Sequence, residues 1–248
     1  MKKILIALLA IVALGFASCS EDNPSSESIF AKKAVHRDNF DKWLLNSYTY
    51  PYNIDVKYKM EDIYSDMKYH LVPADSAKAA KLSIIAKYLW FDAYAECVGP
   101  NFVKANVPRI IHLIGSPAFN SGQGTMVLGT AEGGLVITLY MVNNLTDKML
   151  TDYATVNDYY FHTMHHEFTH ILNQKIPYDE NFQHISEGNY VSGDWYQKRT
   201  SAANKKGFVT PYAMSEPLED FAEMLSVYVT TSPSGWQKIM DTAGTTGA

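Results

Sequence analysis

His166-Glu167-Phe168-Thr169-His170 places two histidines four positions apart, with a glutamate directly after the first. On a helix, positions four apart differ by about 40° in direction and about 6 Å in rise, so both imidazoles can face one cation. Zinc suits such a pair when a third protein ligand completes it and one position stays open for water. Glu167 is then close enough to take a proton from that water without being a ligand itself. The spacing therefore points to metal-assisted hydrolysis.

A third ligand must come from elsewhere in the chain. The longer H-E-x-x-H-x-x-G-x-x-H form is excluded, because Asn173 stands at the glycine position and Ile176 at the last histidine position. Glu219, in Glu219-Asp220-Phe221-Ala222-Glu223, is the leading candidate; Glu187 is the alternative, with His184 a weaker one. Glu219 and Glu223 fall one helical turn apart on the same face. One can ligate while the other accepts the spare N–H of a ligand histidine. His162 lies one turn before His166, but about 12 Å of rise separates it from His170, too far for all three to share one ion. It reads as a wall of the cleft or a partner of a ligand, and His165 as a hydrogen-bonded core histidine.

These side chains need elements to hold them. Phe161, Met164, Phe168, Ile171 and Leu172 form an apolar stripe opposite His166 and His170, so the motif helix can bury one side and present the other. Glu216-Pro217 reads as a helix start, and Leu218, Phe221, Ala222, Leu225, Tyr228 and Val229 repeat with helical period. Upstream, a helix is predicted over 34–46 and a strand over 50–58. A second helix, capped by Asp75 or Ser76, carries Leu82, Ile85, Ala86, Leu89 and Ala93 inward. Strand-like runs cover 108–114, 125–128 and 135–142, with Gly-containing segments between them that read as hairpin loops. Helices, a small sheet, then helices again give an α+β fold.

The whole chain has 248 residues, 47% of them hydrophobic, with four Trp, eleven Phe and seventeen Tyr, which is ample core material for one packed domain. A net charge of −5 lacks the basic surplus of a nucleic-acid binder, and two cysteines exclude a disulfide-stapled scaffold. Met1-Lys2-Lys3 followed by an apolar run over 4–17 is too short to span a bilayer and reads as a signal peptide. Ser18-Cys19 then resembles a lipoprotein cleavage site, making residues 1–18 a signal segment, Cys19 the lipidated N-terminus and 19–29 a tether. The catalytic domain is expected over 30–248. Cys97, left without a partner, is expected to be a buried, inert thiol.

The H-E-x-x-H motif, with Glu219-Asp220-Phe221-Ala222-Glu223 about fifty residues later, resembles the gluzincin branch of zinc metallopeptidases. The fuller chain resembles the substrate-import-associated zinc metallohydrolase lipoproteins, through Trp43, Pro51-Tyr52-Asn53-Ile54, Ile114-Gly115-Ser116, Leu128-Gly129-Thr130-Ala131-Glu132-Gly133-Gly134 and Leu139-Tyr140. That resemblance implies a zincin-like domain, with a small mixed sheet whose edge strand lies over the motif helix. It also implies a Zn2+ cofactor and a lipid-anchored protein at the outer membrane, facing the cell surface or, as the alternative, the periplasm. The implied partners are a peptide or protein substrate, a TonB-dependent importer and its binding lipoprotein. The second motif is also similar to the anthrax-lethal-factor type of site, where a tyrosine seven positions before the ligand faces the metal; here that position is Tyr212. Relatives of this kind extend further, so the chain is expected to end short of a natural C-terminus.

The function expected is hydrolysis of peptide bonds, with His166, His170 and Glu219 on zinc, Glu167 as base, Tyr212 on the oxyanion and Glu223 behind a ligand histidine. The segment 135–142 is the expected substrate-pairing edge strand. The rival reading is a surface binding lipoprotein that retains zinc without catalysis.

Overall fold

The computed structural model describes residues 36–247, apart from 121, 123 and 133. The expected signal segment 1–18, Cys19 and the tether 19–29 lie outside the described residues. Among those described, no helix is long and apolar enough to cross a membrane.

One compact unit begins at Asp38. The Asp38 side chain accepts the Asp41 N–H at 2.8 Å and the Asp41 side chain answers to Asp38 N at 3.2 Å, a reciprocal cap that starts helix α1, Asn39–Leu44. The helix runs on through a π-helical turn, Leu45–Thr49, and a last turn, Tyr50–Tyr52, which Asn53 ends in the left-handed region at φ 56. The strand expected over 50–58 is therefore only β1, Asp55–Lys57. Asp75 accepts Lys78 N at 3.0 Å and caps α2, Ser76–Ala86. A second π-helical turn, Lys87–Phe91, leads into α3, Asp92–Val98, and Pro100 opens α4, Pro100–Asn106.

Five strands follow: β2 Ile110–Leu113, β3 Ala118–Asn120, β4 Thr125–Val127, β5 Gly129–Glu132 and β6 Val136–Leu139. Four of the six form a mixed sheet in the order β1-β2-β6-β5, while β3 and β4 pair with each other. β1–β2 and β2–β6 are parallel (Val56 opposite Ile111, Ile111 opposite Ile137), and β5 closes the order antiparallel to β6, Ala131 opposite Ile137. The hairpin expectation is corrected here: β2 and β6 are parallel neighbours, and the two Gly-containing segments read as loops hold β3 and β5. The edge-strand expectation is corrected too. β6 is paired on both sides, so the segment 135–142 has no free edge; the edge belongs to β5.

One face of the sheet, carrying Val56, Ile111, Leu113, Ile137 and Leu139, packs in the main core with Leu82, Trp90, Met164 and Phe168. A third π-helical turn, Asn157–Phe161, leads into the motif helix α5, His162–Lys175. α6, Pro217–Thr230, opens on Pro217 as expected, and α7, Pro233–Gly247, is kinked at Gly244. The result is a mixed α+β fold with a small sheet and several helices.

Candidate metal centre

α5 holds its histidines by burying the opposite side. Phe161, Met164, Phe168 and Ile171 all lie in the core, and the Trp90 ring meets Phe168 edge-on at 5.4 Å. His165 faces this packed side, with its Nδ1 3.0 Å from the Tyr94 hydroxyl, and burial pulls its pKa down to about 4, so the ring is neutral.

On the other side, His166 Nε2 lies 2.9 Å from Glu219 Oε2, His170 Nε2 lies 3.3 Å from the same oxygen, and the two Nε2 atoms are 3.0 Å apart. Bonds of about 2.0–2.1 Å in a tetrahedral arrangement put neighbouring ligand atoms roughly 3.3 Å apart, so this donor set fits a zinc ion. The electrostatics fit as well. Burial opposes charge on His166, yet its hydrogen bonds to Glu219 and Glu223 outweigh that and raise its pKa to about 10. Burial would likewise raise Glu219, but hydrogen bonds from His166 and His170 hold it at about 2. The carboxylates thus keep a positive charge between them, the charge a bound cation supplies.

Behind this donor set, Glu223 Oε1 accepts from His166 Nδ1 and His162 Nε2, each at 2.8 Å. Burial alone would raise the Glu223 carboxyl, but those two histidines hold it well below the usual carboxylate range. This bond fixes the His166 ring with Nε2 toward Glu219. His162 is thereby tied to His166 through Glu223.

Glu167 is buried beside these side chains, and the backbone N–H of Ala131 in β5 donates to it. Burial pushes its carboxyl up, against the pull of His166 and His170. The Tyr212 ring lies 5.6 Å from that of His166, with Trp195 edge-on to it at 4.9 Å. Burial, then the charge of Glu219 and a hydrogen bond to it, push the Tyr212 hydroxyl far up, so it is a proton donor throughout the neutral range. A cleft of about 380 Å³ opens here, lined by Val127, Leu128, Gly129, His162, Trp195 and Tyr212 among others.

The structure therefore brings His166, Glu167, His170, Tyr212, Glu219 and Glu223 together. Glu187 and His184 are not brought to them: they pair with each other at 3.0 Å on the exposed surface. Two expectations are corrected. Leu218, Tyr228 and Val229 of α6 are exposed, while Asp220, Glu223, Ser226 and Thr230 are buried, because the side needed at the site is polar. Cys97 is exposed, not buried. Trp195 and Thr210 were not singled out in the sequence, and Ala131 only within the glycine-containing segment 128–134 that carries the family resemblance. Thr210 stands two residues before Tyr212 with no motif of its own.

The solved structures include a relative titled a putative zinc-binding metallo-peptidase, from Bacteroides caccae ATCC 43185. It is 47% identical, with a TM-score of 0.70 over 84% of this chain and 78% of that one. No protein of curated function matches. The family model described as "putative zinc-binding metallo-peptidase" matches residues 33–248, and the chain belongs to that family.

Proposed function

We propose that the chain is a zinc-dependent peptidase with a zincin-type site of the gluzincin kind. In this reading His166, His170 and Glu219 hold the metal, Glu167 is the base and Tyr212 faces the oxyanion. The observation that carries it is the convergence of two Nε2 atoms and one carboxylate oxygen within 3.3 Å of one another, with a buried glutamate alongside. A zinc ion held there would lower the pKa of water and polarise the substrate carbonyl. Glu167 takes a proton from the attacking water and delivers it to the leaving nitrogen, so the peptide bond is replaced by a carboxyl and an amine. Its burial favours that exchange, because a carboxyl pushed up toward neutrality can both accept and return a proton. The Tyr212 hydroxyl donates to the oxygen where negative charge develops. The outer edge of β5, the last strand in the sheet order, would offer backbone groups to an extended substrate, with the Ala131 N–H released from Glu167.

A peptide-library digest with and without chelator, on the wild type and Glu167→Ala, tests this. Cleavage should require the metal and fall by at least about 10²-fold in the variant, with its zinc content unchanged. Full zinc occupancy with no cleavage would overturn catalysis in favour of a zinc-retaining binding lipoprotein.

The same proposal has residues 1–18 direct export, Cys19 carry the lipid, and the protein work at the outer-membrane surface beside a TonB-dependent importer and its binding lipoprotein. The charged start, apolar run and Ser18-Cys19 junction support this. Labelled palmitate should be incorporated by the full chain and not by Cys19→Ala; equal labelling of both would rule the anchor out.

A further inference from the structure

We propose that Thr210 is a positioning residue that ties the carboxylate behind His166 to the turn carrying Tyr212. This rests on the zinc-peptidase reading above. The Thr210 hydroxyl donates to Glu223 Oε2 at 2.5 Å, and its oxygen accepts the Ala213 N–H at 3.1 Å. A carboxylate only accepts, so the single hydroxyl proton is committed to Glu223 and the lone pairs are left for Ala213. Glu223 then has both oxygens engaged: Oε1 by His166 and His162, Oε2 by Thr210.

Two parts of the site hang on this one side chain. Glu223 orients the His166 ring only while its carboxylate plane is fixed, and its side chain is 3% exposed, so water has little access to Oε2 when Thr210 is removed. Tyr212 sits between Thr210 and Ala213 in the short 3₁₀ turn Tyr212–Met214, and the Thr210–Ala213 bond sets where that turn begins. A valine in place of Thr210 keeps the shape and deletes both bonds; a serine keeps both bonds and deletes a methyl group.

The test is zinc affinity of the full chain, by competition with a chromophoric chelator, for wild type, Thr210→Val, Thr210→Ala and Thr210→Ser. Val and Ala should weaken zinc binding by about 10–100-fold and Ser by no more than about threefold. Turnover of a peptide found in the digest should fall in Thr210→Val with KM little changed. Adding Tyr212→Phe to Thr210→Val should cost less than the two changes made separately, because both act on one turn. The Ala variant keeps the test decisive if Val misfolds. Wild-type affinity in Val and Ala, or a loss in Ser equal to that in Val, would overturn the proposal. So would a second zinc equivalent lost with His162→Ala, since His162, His166 and Glu223 would then be ligands of another ion. A wild type that binds no zinc would overturn the peptidase reading instead.

Discussion

His112 shows how one buried side chain sets a condition on the whole fold. It lies in β2 with no exposed surface, and its Nδ1–H donates to the Tyr64 carbonyl at 3.1 Å. Burial, opposed by that bond and by Glu61, lowers its pKa from 6.5. As the pH falls through 6.5, the unfolded ring takes a proton that the folded ring refuses. The unfolded state then binds more protons, so stability falls with the pH down to the depressed folded value. Urea midpoints measured between about pH 7.5 and 5.5 should drop less steeply in His112→Gln than in wild type; equal slopes would show that His112 does not contribute. The same scale shows what a sequence can disclose. His166, Glu167 and His170 were legible because helical geometry alone brings them to one cation. Glu219 and Glu223 were legible as a pair, though their spacing could not exclude Glu187. Thr210 was not legible, because a threonine acquires its role only from what it touches.

At the scale of elements, the π-helical turns explain the clearest departures from helical periodicity. A π-turn inserts about one extra residue and rotates everything beyond it relative to a 3.6-residue count. Leu89, expected inward, is 57% exposed, while Trp90 and Phe91 in the same turn are each 1% exposed. The apolar count on α6 failed for another reason: that helix turns Glu219 and Glu223 toward the histidines and buries Asp220 against Tyr190. Strand β5 was hidden in a Gly-containing segment, and Gly129 shows why glycine belongs there. A Cβ at Gly129 would come within 2.4 Å of Thr163 Cγ2 and 3.0 Å of the Thr138 carbonyl oxygen. Thr163 is β-branched and stiff, and Thr138 is backbone, so neither yields cheaply. Gly129→Ala should cost about 1–3 kcal/mol and lower the Tm accordingly. A thermal melt matching wild type would show that β5 has room to shift.

At the scale of the molecule, the proposed ligands come from elements backed by separate apolar clusters. His166 and His170 stand on a helix anchored in the main core, with Phe168 and Ile171. Glu219 and Glu223 stand on α6, whose Val227 packs in a second cluster with Phe208, Val209 and Met214. A metal joined to both helices fastens these clusters together, so occupancy should register as global stability. Zinc at about 1,000 times its Kd should add roughly 4 kcal/mol, and chelation should remove it, both visible in the Tm. A Tm indifferent to zinc and chelator would argue against a metal bridging α5 and α6. The α+β class was readable because the main strand-like runs form one block between two sets of helical patterns. The parallel pairing of β2 with β6 was not, because pairing partners distant in sequence leave no local mark.

The shortness of β5 carries a last consequence. Four residues, Gly129–Glu132, span only about 13 Å of extended chain. Whatever polypeptide lies along that edge must be drawn out straight over a comparable length, which no helix or tight turn can offer. On the proposed peptidase reading, compact domains would be passed over until they breathe or are nicked, and frayed tails, exposed linkers and fragments already cut would be the material within reach.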